Sequence, residues 1–143
     1  IEDLIGRIGA RIGLDHIPRR HPGDSHIPEK SALTLAAAWS EPAGEWPLCS
    51  APRPLILWSP EPVTALGTPT PPAQFRWRGR NLITLKATGP ERLAPEWWLD
   101  DPNWRSGVRD YWCLTTQTGD QLWLFYAHGA TLSAGWFTHG SFA

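Results

Sequence analysis

At 143 residues the chain suits one domain, or a smaller domain with a tail, and no apolar run in it approaches the roughly 20 residues of a membrane helix. A formal net charge of −1 excludes the simplest kind of nucleic-acid binder, which carries a clear excess of positive charge. The unusual features are 10 tryptophans, 15 prolines and a basic set of 13 in which only Lys30 and Lys86 are lysine, leaving 11 arginines.

In chain order, residues 1–14 (IEDLIGRIGARIGL) place Leu4, Ile5, Ile8 and Ile12 at helical spacing. Glu2 and Asp3 suit the N-terminal end of a helix dipole, Arg7 and Arg11 the later turns. Gly6 and Gly9 weaken this helix by about 1 kcal/mol each, and Gly13 can cap it. Residues 15–50 are poorly patterned, with a turn or two of helix expected over 31–39 (SALTLAAAW) and a polyproline-like stretch after it. Residues 1–50 are therefore expected to be an N-terminal helix with a loose lead-in. Residues 51–73 are a Pro-rich segment with one short strand at 55–58, which Pro60 and Pro62 stop or confine to an edge.

A compact Trp-rich β domain is expected over 74–143. FRWRGR at 75–80 and LITLKA at 82–87 alternate with strand period, with Gly79 at a turn or bulge. GPERLAPEWWLDDPNW is irregular and bounded by prolines. The clearest hairpin joins 111–116 to 121–127 through a Thr-Gly-Asp turn, and 136–142 supplies a last strand. The fold class expected is mainly β: a small antiparallel sheet or barrel-like domain, preceded by a short helix and a Pro-rich extended segment.

Catalysis needs a nucleophile, an acid/base pair or a metal site. His16, His21 and His26 recur every five residues in a loop, which fits neither a helix face nor a common metal pair. His139 reads as a hydrogen-bonded structural histidine. Asp100 and Asp101 are adjacent, so their side chains diverge. Cys49 and Cys113 form no CxxC pair and are expected as free thiols in a reducing cytoplasm. No GxSxG, P-loop or HExxH pattern occurs. No catalytic residue, metal or cofactor is expected.

Two patterns point instead to binding. On one continuous strand, FRWRGR would put Phe75 and Trp77 on one face and Arg76, Arg78 and Arg80 on the other. That is a basic stripe for phosphates, or a solvated outer face. QLWLF at 121–125 is similar to short sliding-clamp-binding peptides, but it alternates as a strand after a turn and is read as sheet. Trp and Arg are also the residues that most often anchor interfaces, although an indole burying about 150–250 Å² can equally fill a small core.

SHIPEK at 25–30, RPLILWSPEPV at 53–63, FRWRGR, GPERLAPEWW at 89–98, RDYWCL at 109–114, QLWLFY at 121–126 and WFTHGSFA at 136–143 occur in an order that resembles the C-terminal region of the ImuB family. These are catalytically inactive Y-family DNA polymerase homologues of bacterial mutasomes. The resemblance implies a non-catalytic adaptor in damage-induced (SOS) mutagenesis and translesion synthesis, cytoplasmic and associated with the nucleoid. It implies a RecA-like ImuA-type accessory protein and the error-prone C-family DNA polymerase as partners, with the sliding clamp reached only through the parent protein.

The residues expected at a partner interface are Glu91, Arg92, Glu96, Trp97, Trp98, Arg109 and Asp110. Extended chain points adjacent residues opposite ways, so one of Trp97 and Trp98 is expected outside; the opposing reading wedges both under the sheet. The alternative function is a single-stranded or primer-template DNA module using Arg76, Trp77, Arg78 and Arg80.

Overall fold

The computed structural model describes residues 1–49 and 51–142, so Ser50 and Ala143, which close two of the expected segments, lie outside the described residues. The chain divides into two compact units, Ile1–Leu48 and Cys49–Ala143.

In the first unit, helix α1 (Glu2–Ile12) has Glu2 and Asp3 in its first turn and Arg11 in its last, each charge complementing the helix dipole. Gly13, at φ 91°, ends it. Residues 18–36, which their composition suggests are loose, hold a hairpin. Strand β1 (Pro18–Pro22) pairs antiparallel with strand β2 (Ala32–Ala36), five residues against five. The helical turn expected over 31–39 is thus a strand followed by one 3-10 turn, Ala37–Trp39. Alanine's helix preference is worth only tenths of a kcal/mol per residue, and cross-strand pairing outweighs it here.

The second unit is a six-stranded antiparallel sheet, which makes the protein mainly β. Its strands are β3 (Ile56–Pro62), β4 (Gln74–Trp77), β5 (Arg80–Leu93), β6 (Arg109–Thr116), β7 (Gln121–Ala127) and β8 (Gly135–Ser141), in the spatial order β3-β8-β7-β6-β5-β4. β3 runs through both Pro60 and Pro62 instead of stopping, because it is an edge strand and proline's missing N–H costs no ladder bond on the open side. The β6–β7 hairpin lies where its aromatic alternation places it. Leu122, Leu124 and Tyr126 of β7 enter one apolar cluster with Phe75, Trp77, Leu82, Leu114 and Trp136. Trp123, Phe125 and Ala127 enter another with Tyr111. Both faces of this strand are buried from Leu122 on, and Leu122 to Phe125 are therefore sheet interior.

Two segments depart from expectation. FRWRGR is not one strand: β4 and β5 meet at a tight turn in which Arg78 (φ 46°) and Gly79 (φ 76°) are both left-handed, the backbone of a favoured two-residue hairpin loop. Arg76, Arg78 and Arg80 hence share no common face. GPERL is not loop either. β5 continues through it to Leu93, with register shifts against β6 between Thr84 and Lys86 and between Thr88 and Glu91.

Candidate partner-docking site

Between β5 and β6 the chain makes an excursion, residues 94–108, whose backbone and buried polar groups tie it down. Leu99 N donates to Glu96 O at 2.8 Å, and Asp101 N to Leu99 O at 3.0 Å. The Asp101 carboxylate accepts from Asn103 N at 2.9 Å, capping the 3-10 helix Pro102–Ser106. Trp104 of that helix is buried and donates its indole N–H to Glu96 Oε2 at 3.4 Å.

Arg109 locks the excursion to the sheet. Its guanidinium lies over both Trp104 and Phe125, at 5.3 and 4.8 Å from the ring centroids. It donates from Nε to Ser106 Oγ at 3.0 Å, from Nη1 to Tyr111 Oη at 3.2 Å and from Nη2 to the Asn103 carbonyl. The Tyr111 hydroxyl in turn meets His139 Nδ1 at 2.9 Å, and the His139 ring stacks on Trp123 at 13° between planes. His139 is thus a structural histidine of the sheet interior, joined to the excursion through Tyr111 and Arg109.

What this scaffold presents is a pair of indoles. Trp97 is 88% and Trp98 63% exposed, packed edge to face at 5.6 Å, with exposed Leu99 beside them. Extended-chain alternation does not apply to them, because residues 94–99 have left the sheet. Large apolar side chains grouped on a tied loop form the kind of patch that folded proteins otherwise bury.

The other residues expected at this interface take supporting places. Glu96, Arg109 and Asp110 are buried. Asp110 accepts two bonds from Arg92, the residue opposite it on β5, at 2.7 and 2.8 Å, and its Oδ2 lies 2.7 Å from His128 Nε2. The Arg92 hydrogen bonds hold the Asp110 carboxyl below its ordinary pKa, with His128 adding to the effect against the cost of burial. Glu91 makes a two-pronged ion pair with Arg53, a residue sequence reasoning did not single out. The Glu91 hydrogen bond raises the Arg53 pKa. Leu99 was missed as well, although its place directly after two tryptophans in a Pro-bounded stretch is a legible sign.

The expected basic stripe is divided between carboxylates. Arg78 grips Glu61 through Nε at 2.9 Å and Nη2 at 2.6 Å, and lies over the Trp77 ring at 4.5 Å. That bond holds the Glu61 carboxyl below its ordinary pKa. Arg80 pairs with Asp120 at 3.1 Å. Trp77 is buried, with its N–H on Glu61 at 2.8 Å. Arg76 is exposed and has no carboxylate partner among the described residues. No group of three or more His, Cys, Asp or Glu able to hold a metal occurs among the described residues, and none of their helices is long and apolar enough to cross a membrane.

No family model matches the chain, and no solved structure matches it. Among curated proteins, Protein ImuB from two strains of Caulobacter vibrioides, NA1000 / CB15N and CB 15, is similar to it: each is 34% identical over 149 aligned residues, covering 97% of this chain. The chain spans about a third of the length of these relatives, 32% in each case. By a similarity that runs through nearly its whole length, the chain is an ImuB-like region.

Proposed function

We propose that this chain is a non-catalytic docking module of an ImuB-type protein, serving translesion synthesis within a mutasome. Its partner is a RecA-like ImuA-type accessory protein, the error-prone C-family DNA polymerase, or both. One observation carries the reading: Trp97 and Trp98 stand in solvent on a loop that the hydrogen bonds of Glu96, Asp101 and Arg109 hold in place. A tied loop loses little conformational freedom on binding, and indoles are the commonest energetic anchors of interfaces. Glu96, Asp101, Arg109 and Trp104 then act as positioning residues.

Single-stranded DNA binding has less support, since Arg78 and Arg80 are already neutralised and Trp77 is not available for base stacking. The test is calorimetric titration of the chain with the ImuA-type protein and, separately, with the C-family polymerase, at two salt concentrations. Binding by either that survives the higher salt and falls at least tenfold in the Trp97→Ser/Trp98→Ser variant is the expected result. Equal binding by the variant would remove the indoles from the interface. Failure of both partners to bind, with tight salt-sensitive binding of oligothymidine, would favour the DNA reading.

A further inference from the structure

A second surface lies on β5, apart from the indole pair. β6 pairs with one side of this strand as far as Leu93, whereas β4 covers the other side only from Arg80 to Ile83. Beyond the bond from Thr84 N to Ala73 O, no strand pairs with that outer side among the described residues. Residues 85–90 are all exposed, and Leu85 is 68% exposed. Soluble proteins usually cover or blunt such an edge; here residues 85–88 stand open, with Lys86 as their one charge and Pro90 closing the stretch.

Two features say what would fit there. Charge is the first. Neither β4 nor β5 as far as Pro90 contains an acid, while Arg76, Arg80 and Lys86 lie on them; Arg80 is paired, and Arg76 and Lys86 have no carboxylate partner among the described residues. A cavity is the second. Thr88 and Cys113 are opposite each other in the ladder and point to the same face, where a largely apolar pocket of about 350 Å³ lies between Pro90, Tyr111, Cys113, Trp123 and Phe142; its one carboxylate, Glu91, is paired with Arg53. Lys86 shares this face through its pairing with Thr115. Burial pushes the Cys113 thiol pKa up, and the Lys86 charge acts against it. The volume is at the lower end of the range for ligand sites and ample for one large apolar side chain.

We propose that the open edge of β5 at residues 85–88 takes an extended acidic segment of a partner protein as an added strand, one apolar side chain of which enters the pocket over Cys113 and Trp123. Main-chain hydrogen bonds supply the pairing, the pocket selects one residue, and Lys86 with Arg76 selects acidic neighbours. None of this depends on Trp97 and Trp98.

The probe is a short synthetic peptide alternating apolar and acidic residues around a central phenylalanine, titrated into the full chain carrying Cys49→Ser. Amide exchange at residues 85–88 and the rate of Cys113 alkylation are the readouts. Binding should slow both, should weaken about tenfold in Lys86→Glu, and should persist in Trp97→Ser/Trp98→Ser. Replacing alternate peptide residues by proline, which removes their donors, should abolish it. Absence of binding, binding indifferent to Lys86→Glu and to proline, or protection of the edge by oligothymidine in place of the peptide would each overturn the proposal. Loss of partner binding in the indole variant with peptide binding intact would leave both surfaces standing as separate sites.

Discussion

Trp97, Trp98 and Trp104 lie within eight positions of one another, yet the structure gives them opposite roles that stability measurements can separate. Trp104 is 7% exposed, sandwiches Arg109 against Phe125 and donates its N–H to Glu96. Trp104→Ala removes a buried indole and leaves a buried carboxylate short of a donor. Truncation of a buried tryptophan costs about 3–5 kcal/mol. At about 4–8 °C per kcal/mol for a domain of this size, Tm should fall by at least about 12 °C. Trp97 and Trp98 are mostly in water, so Trp97→Ser/Trp98→Ser should change stability by about 0.5 kcal/mol or less per site, at most about 8 °C in Tm. Scanning calorimetry or far-UV circular dichroism is the assay, because ten tryptophans make fluorescence an average over the whole chain. A fall in Tm for the double variant comparable with that of Trp104→Ala would make the exposed pair structural and refute the docking argument. Tolerance of Trp104→Ala would refute the claim that this indole pins the loop.

Three further outcomes are expected. Asp110 has its pKa lowered by Arg92, so its contribution to stability is complete above the ordinary value of 3.8 and is lost as pH falls through the lower folded value; the acid limb of a stability–pH curve should therefore flatten below about pH 4 in Asp110→Asn, and an unchanged limb would contradict the pairing. Gly107 sits at φ 73°, and a Cβ there would meet the Gly129 carbonyl oxygen at 2.6 Å, so Gly107→Ala should cost about 1–3 kcal/mol in urea unfolding; a neutral result would mean that this turn differs from the one described. Oligothymidine affinity should be weak, with a log–log salt slope of about one, since Arg76 alone of the three arginines lacks a carboxylate among the described residues; a much steeper slope would show that the ion pairs open to engage phosphate.

Local pattern was enough for part of this molecule. The alternation of Tyr111 to Thr116 and Gln121 to Ala127 determined a hairpin, because period-2 side chains suit only a strand, and the spacing of Leu4, Ile8 and Ile12 determined a helix. The two adjacent tryptophans after a proline were visible as binding candidates for the same reason: an irregular, Pro-bounded segment has no sheet face on which to hide them. Tertiary structure decided the rest. Arg53 and Glu91 pair across 38 residues, and Arg80 and Asp120 across 40, so no window of sequence announces that these charges are already neutralised. The left-handed turn at Arg78 and Gly79 breaks a stripe that alternation drew as continuous. Pairing partners turned a loose-looking stretch into the β1–β2 hairpin and carried β5 through GPERL. Burial of Glu96, Arg109 and Asp110 follows from the same cause. Whether a charged side chain faces solvent or holds a loop depends on what the fold brings opposite it, and the energy of that meeting is non-local.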